Sequence, residues 1–547
     1  MAASCCYKYY LRHHQGPLLA LQFYTHHRLP SFIISSMGRV PPSTTSCDRS
    51  VHSFVALSIG FMKPRSGSLV PVDVIPAEVL SKILSLAVGT RRYPSNPSSP
   101  SNEIIHRQNL SLLRLTTVSQ RWRTVAIDFG TLWSNIAFTT SRLSTVRCAE
   151  LFLRRSKGAM LSIFISDDGM CYGSVTSRYV EGVIRTVAAA SGRIQRCELF
   201  SPSPAFWGIW VLPAPNIRQL VVGGRRMPGT NLFSTELLQL RSITSFSCGL
   251  WPLSNSRNLT SAELRSQDHP TPLTEILDVF RGCDVLKSLV LHGFGTLEVN
   301  DAPPVPVVLP NLRRLSLFSC DATLLLGHVE LPSLSEPLII FNPTPYQDIM
   351  GSVPQNQHHR PYLQGLHKLQ VTLNARRSQY SIAAYREDGC LALYIGTSGV
   401  AHWLRWGWVR ASVDAVARFG PFSAVHALSF STDSLMTSWP LWLLNLRFLK
   451  QLSATCPSPD RLLRALLTPD PETGRPVCQG LSSLALHGCG PCVSAYPLLK
   501  ELVLSRRATE TPLRKLILHE GLWSDISGHE RSWAGLVESW GAFRMMW

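Results

Sequence analysis

The residues best equipped for chemistry lie near the end of the chain. In "LALHGCGPCVSAY", residues 484–496, Cys489 and Cys492 are separated by Gly490 and Pro491. Two thiols at that spacing can cycle with a disulfide if the first sits at a helix start, where the macrodipole makes thiolate available. The local order complies, with strand-like "SSLALHG" before the pair and "VSAYPLLKELVLS" after it. The wider context does not. Residues 493–547 are filled by further strand-like phrases, and "LSSLALHGC" parallels "LRRLSLFSC" at 312–320, which has no second Cys. The tetrapeptide therefore reads as the end of a repeated strand and its turn.

Other chemistry is thin. The chain has no G-x-x-x-x-G-K-[ST] phosphate loop, no H-E-x-x-H metal helix and no G-x-S-x-G nucleophile elbow. His13-His14 and His358-His359 stand in polar surroundings with no Cys or carboxylate at ligand spacing, and Asp167-Asp168-Gly169 is turn chemistry. The expectation is no catalytic residue, no cofactor, no metal and no enzyme.

The chain has 547 residues, 45% hydrophobic and 16% charged, with a formal net charge of +18. The cations are mostly Arg, since only nine are Lys, and no run of five basic residues occurs. Scattered guanidinium groups do not make a nucleic-acid patch, so no nucleic acid is expected; attraction to an acidic partner is the weaker alternative. Apart from Cys5-Cys6 and the Cys489/Cys492 pair, the 14 Cys are scattered along the chain, as small apolar residues in a reducing compartment are. No apolar run reaches the length of a membrane span, so no membrane is expected. Residues 1–47 lack Asp and Glu and carry Lys8, Arg12, Arg28 and Arg39, which reads as a disordered extension or, alternatively, a presequence.

The elements begin at "VDVIPAEVLSKILSLAV", residues 72–88. Pro76 suits a first helical position and Glu78 the first turn. Val79, Leu80, Ile83, Leu84 and Leu86 give a wide apolar stripe at helical spacing. A Pro- and Ser-rich loop fills 89–102. The helical period resumes over 109–128 with Leu112, Leu115, Val118, Trp122 and Val125, and "FGTLWSNIAF" follows with Leu132, Trp133 and Ile136.

The string I-P-A-E-V-L-x-K-I-L, then L-L-R-L-x-x-V-S-x-R-W-R-x-V-A, then L-W, resembles an F-box over residues 73–138. The loop at 89–108 is longer than in a minimal F-box and looks like the variant common in fungal proteins of this kind. The resemblance implies a substrate-receptor subunit of a cullin-based (SCF-type) ubiquitin ligase, cytoplasmic and/or nuclear. Its F-box would dock on a Skp-type adaptor through Ile75, Pro76, Val79, Leu80, Ile83, Leu112, Leu115, Val118 and Trp122, some of which must instead form the module's own core. A second region would hold a protein substrate.

After residue 140 the texture changes. A helix is expected over Ser144–Arg155, strands over Met160–Ile165 and Ile194–Phe200, and a helix around Ile184, Val187 and Ala188. Then a phrase recurs, L-x-x-L-x-L: "IRQLVV" at 217, "ITSFSC" at 243, "LKSLVL" at 286, "LRRLSL" at 312, "LHKLQV" at 366, "VHALSF" at 425, "LKQLSA" at 449, "LSSLAL" at 481, "LKELVL" at 499 and "LRKLIL" at 513. It is the strand signature of leucine-rich repeats, here irregularly spaced. "SIAAYREDGCLALYIG" reads as a hairpin turning at Glu387-Asp388-Gly389, and Trp403, Trp406 and Trp408 as helix packing. The expected fold is α/β: a small all-α F-box module at 73–138 and an irregular leucine-rich-repeat-like solenoid at 139–530, between an extension (1–72) and a tail (531–547). The alternative is a repeat scaffold with no ligase role, capped by its helical segment.

Overall fold

The computed structural model describes residues 75–88, 109–167, 175–224, 232–233, 237–246, 256–265, 271–294, 297–298, 305–341, 365–374, 379–398, 425–432, 443–444, 446–471, 474–488, 495–519 and 537–543. The expected extension 1–72, the Trp403–Trp408 cluster, both His pairs, and Cys489 and Cys492 lie outside them. The chain divides into two compact units, Met1–Ile75 and Pro76–Trp547.

The second unit is mixed α/β, built on one sheet of 17 strands. Strands β1 (Asn135–Thr139), β2 (Leu161–Ser166), β3 (Ile194–Ser201), β4 (Gln219–Gly224), β5 (Ser242–Phe246), β6 (Ser261–Arg265), β7 (Ser288–His292), β8 (Arg314–Phe318) and β9 (Leu338–Phe341) pair in chain order, all parallel. The expected hairpin follows as β11 (Gln379–Arg386) and β12 (Leu391–Ser398), with β10 (Leu366–Asn374) on its other side. Strand β12 pairs with β9, and β10 carries the parallel ladder on through β13 (Ala427–Thr432), β14 (Gln451–Thr455), β15 (Ser483–His487), β16 (Lys515–His519) and β17 (Ser539–Phe543). Among the described strands of this sheet, only β11 runs against the rest. Parallel neighbours need crossovers. Helices supply several of them: α3 (Leu143–Arg155), α4 (Val175–Ala189), α5 (Leu273–Arg281), α6 (Ala322–Gly327), α7 (Asp460–Leu467) and α8 (Ala495–Ala508), after the N-terminal α1 (Ala77–Val88) and α2 (Gln120–Asp128).

The repeated phrase explains the ladder. Its last two apolar residues alternate onto one face, and register aligns them strand to strand: Leu220, Ile243, Ala262, Leu289 and Leu315 form one buried row. Its first apolar residue closes a turn beneath the strand. The N–H groups of Ile217, Leu240, Leu286, Leu312 and Leu481 each donate to the carbonyl three residues earlier. Two of those earlier positions hold Cys283 and Cys478, both buried. Asn before the phrase ties each turn to the one before. Asn216 Nδ2 donates to the Gly192 carbonyl at 2.6 Å, Asn258 to Leu238 at 2.8 Å and Asn311 to Asp284 at 2.9 Å.

Three expectations are corrected. "LKELVL" at 499 is helical, inside α8. Leu499, Leu502, Val503 and Arg506 are buried there at helical spacing, and a period sustained over the whole element outweighs one hexamer. The expected tail at 531–547 contains β17. The helical segment 73–138 does not end as an all-α piece, because β1 begins at Asn135 and pairs with β2. A further strand, β6, carries the same phrase as Leu259, Ala262 and Leu264 and was hidden by its alanine.

Candidate functional site

The N-terminal helices hold the residues singled out for docking. Helix α1 follows Pro76, whose carbonyl accepts from Leu80 N–H at 2.9 Å, so the proline lies just outside the first turn rather than in it. At 100° per residue, Leu80 and Leu84 share one stripe, and Pro76, Val79, Ile83 and Leu86 an adjacent stripe about 80° wide. The two stripes meet different fates. Leu80 and Leu84 are fully buried, while Val79, Ile83 and Leu86 are 48%, 39% and 67% exposed. Pro76 is exposed too. The polar residues Glu78, Ser81, Lys82 and Ser85 occupy the remaining arc, with Ser81 and Ser85 donating to main-chain carbonyls.

The second segment is not one helix. Residues 109–115 are helical, the chain turns over 116–119, and α2 starts at Gln120. Thr116 and Thr117 donate their hydroxyls to carbonyls three residues back, which favours a helix end. Ser119 then caps α2, accepting from Trp122 N–H at 3.2 Å. Leu112 is fully buried, Leu115 and Trp122 are half-buried, and Val118 is 61% exposed in the turn. Trp122 Nε1 is itself buried with no hydrogen-bond partner. Ile75 is half-buried.

The structure thus separates the nine residues. Leu80 and Leu112 belong to the module's core. Pro76, Val79, Ile83 and Val118 face outward, and Ile75, Leu115 and Trp122 are intermediate. Leu86 belongs with the outward set as well, three residues from Ile83 and seven from Val79.

The module is anchored to the sheet by its last residues. Trp133 is buried, donates Nε1–H to the Ala126 carbonyl at 2.6 Å and meets the Phe152 ring of α3 edge-on at 4.9 Å. The Arg155 guanidinium lies 4.4 Å above its ring.

Residues considered for chemistry elsewhere take structural places. Asp167, read as a turn, is buried and accepts from Thr140 Oγ1 at 2.8 Å and Ser201 Oγ at 2.5 Å, tying together the ends of β1, β2 and β3. Burial pushes the thiol of Cys283 up to about 11 and those of Cys320 and Cys478 up to about 12, away from thiolate. Among the described residues no three His, Cys, Asp or Glu side chains are placed to hold a metal, and no helix is long and apolar enough to cross a membrane. The candidate site is the outward apolar stripe on α1, backed by a buried one. No protein-family model matches the chain, and no curated protein matches it.

Proposed function

We propose that the chain is a substrate-receptor subunit of a cullin-based ubiquitin ligase, working in the cytoplasm and/or nucleus. In this reading residues 73–138 are an F-box-like module that docks on a Skp-type adaptor, and the strand ladder beyond is an irregular leucine-rich-repeat region that holds a protein substrate. The observation that carries it is the divided stripe of α1. Its Leu80 and Leu84 complete the module's core, while Pro76, Val79, Ile83 and Leu86 remain outside it. An amphipathic helix with a second apolar face suits docking against partner helices. Burying a side chain of this size contributes roughly 1.5–3 kcal/mol when complete, so covering the half-exposed Val79, Ile83 and Leu86 would add about half of that each to a larger interface. No residue of the module performs chemistry in this role; ubiquitin transfer belongs to other subunits.

The second reading, a capped repeat scaffold without a ligase role, is favoured by Trp133, which packs the module onto α3 as a cap would. A cap needs only the buried stripe. Co-expression of the full chain with a Skp-type adaptor separates the two. Native protein should co-purify with the adaptor, and Ile83→Asp protein should be soluble but alone. Co-purification of neither, or equally of both, favours the scaffold.

A further inference from the structure

A line of cations runs along the rim where the strands begin. Arg218, Arg241, Lys287 and Arg313 each stand immediately before a strand, β4, β5, β7 and β8, with Thr260 in the same place before β6. Backbone hydrogen bonds lock them side by side. Arg241 N–H donates to the Arg218 carbonyl, Thr260 to Arg241, Lys287 to Thr260 and Arg313 to Lys287, at 2.8–2.9 Å. Strands are about 4.8 Å apart, so the line spans roughly 20 Å. All four side chains are exposed.

None of the four meets a carboxylate among the described residues, whereas three cations within the strands do. Arg196 pairs with Glu198 and Arg265 with Glu263, and Arg314 has Glu336 at 3.9 Å. Arg241 does reach the Asn258 carbonyl at 3.3 Å, which satisfies a donor but no charge. The rim is also held still, because Asn216, Asn258 and Asn311 pin the turns beside it. The line ends at Glu336, whose N–H donates to the Arg313 carbonyl. Like charges held this close repel, and an anion laid along them relieves that repulsion.

We propose that this rim binds an extended Asp/Glu-rich segment of a partner protein. An extended chain covers 20 Å in about six residues, so about three carboxylates on its near side would lie among the four cations. That this partner is the ligase substrate rests on the function proposed above; the binding itself does not.

The test uses the full chain and a fluorescein-labelled Glu/Ser peptide a little longer than the rim, read by anisotropy. The native protein should bind, more weakly as salt is raised. R218Q, R241Q, K287Q and R313Q together should weaken binding about tenfold or more, by the strength of surface ion pairs. Replacing the three arginines by Lys should restore most of it. Removing four exposed charges elsewhere, with R178Q, R461Q, R464Q and K500Q, should change little; the thermal midpoint of each variant reports folding. Equal weakening by that control set, or equal binding of a Gln/Ser peptide, would overturn the proposal. So would tighter binding of a single-stranded oligonucleotide of the same charge, which would make the rim a nucleic-acid surface. Adaptor binding plays no part in any outcome, so this proposal and the ligase reading fail separately.

Discussion

Gly130 joins the helical module to α3 at a point of close approach. A Cβ there would lie 2.6 Å from the Ser156 carbonyl oxygen, a backbone atom that cannot step aside. Gly130→Ala is therefore expected to lower stability by about 1–3 kcal/mol, as overpacking does, measured as the urea midpoint. His292 sets an acid limit. Its ring stacks on Phe318 at 4.4 Å, and burial, with the charge of Arg265, lowers its pKa to about 3. Glu263 lies 3.7 Å away and would raise that pKa, but its Oε1 already accepts from Arg265 Nε and Nη2, so burial prevails. The unfolded chain then binds a proton near pH 6.5 that the folded chain refuses. Stability is complete above about pH 6.5 and falls as pH drops toward 3, by at most roughly 5 kcal/mol. His292→Gln should flatten that part of the stability–pH curve; an unchanged slope would assign the loss to other groups. At this scale the sequence was readable where composition sufficed. Cys197, Cys283, Cys320, Cys456 and Cys478 are buried as small apolar residues, yet Cys390 is exposed beside the hairpin turn, where a general rule about cysteine carries no information. Nor could it show that Arg506 is fully buried, donating to the Val477 and Cys478 carbonyls.

Elements were legible where one period ran unbroken. Helix α3 and strands β2 and β3 fall within a residue of expectation, because each carries a single uninterrupted pattern. Nine of the ten hexamers overlap strands, the one at 243 three residues out of register, since Ile243 pairs with Leu220 and Leu240 takes the first apolar place; the exception in α8 shows why a hexamer alone decides nothing. The break at 116–119 was hidden because Leu112, Leu115, Val118 and Trp122 keep three- and four-residue spacing straight across it. The signal lay instead in Thr116, Thr117 and Ser119, whose hydroxyls compete for the backbone. Ser119→Ala should cost about 1 kcal/mol by removing the cap of α2, and Ser119→Asp should cost little. Circular dichroism melts of both compare them directly. Equal losses would mean that α2 does not depend on its cap.

For the whole second unit, the sequence carried the mixed α/β class and, through repetition, most of the strand positions, but not their pairing into one parallel-rich sheet. It carried the candidate docking face only as an undivided set of apolar residues. Which of them turn inward depends on where α2 and Trp133 pack, and that is set by contacts distant in sequence. Leu80→Ala, at a fully buried position, is expected to cost 2–5 kcal/mol as a cavity, whereas Leu86→Ala should leave the melting temperature nearly unchanged. A melt lowered equally by both would place the two stripes in one core. Calorimetric titration of the full chain with a Skp-type adaptor, native beside the double variant Val79→Asp and Ile83→Asp, tests the outward stripe most directly. Loss of the binding heat with an unchanged melting temperature is the result predicted. Binding retained by the double variant, or lost only because the protein unfolds, would contradict it.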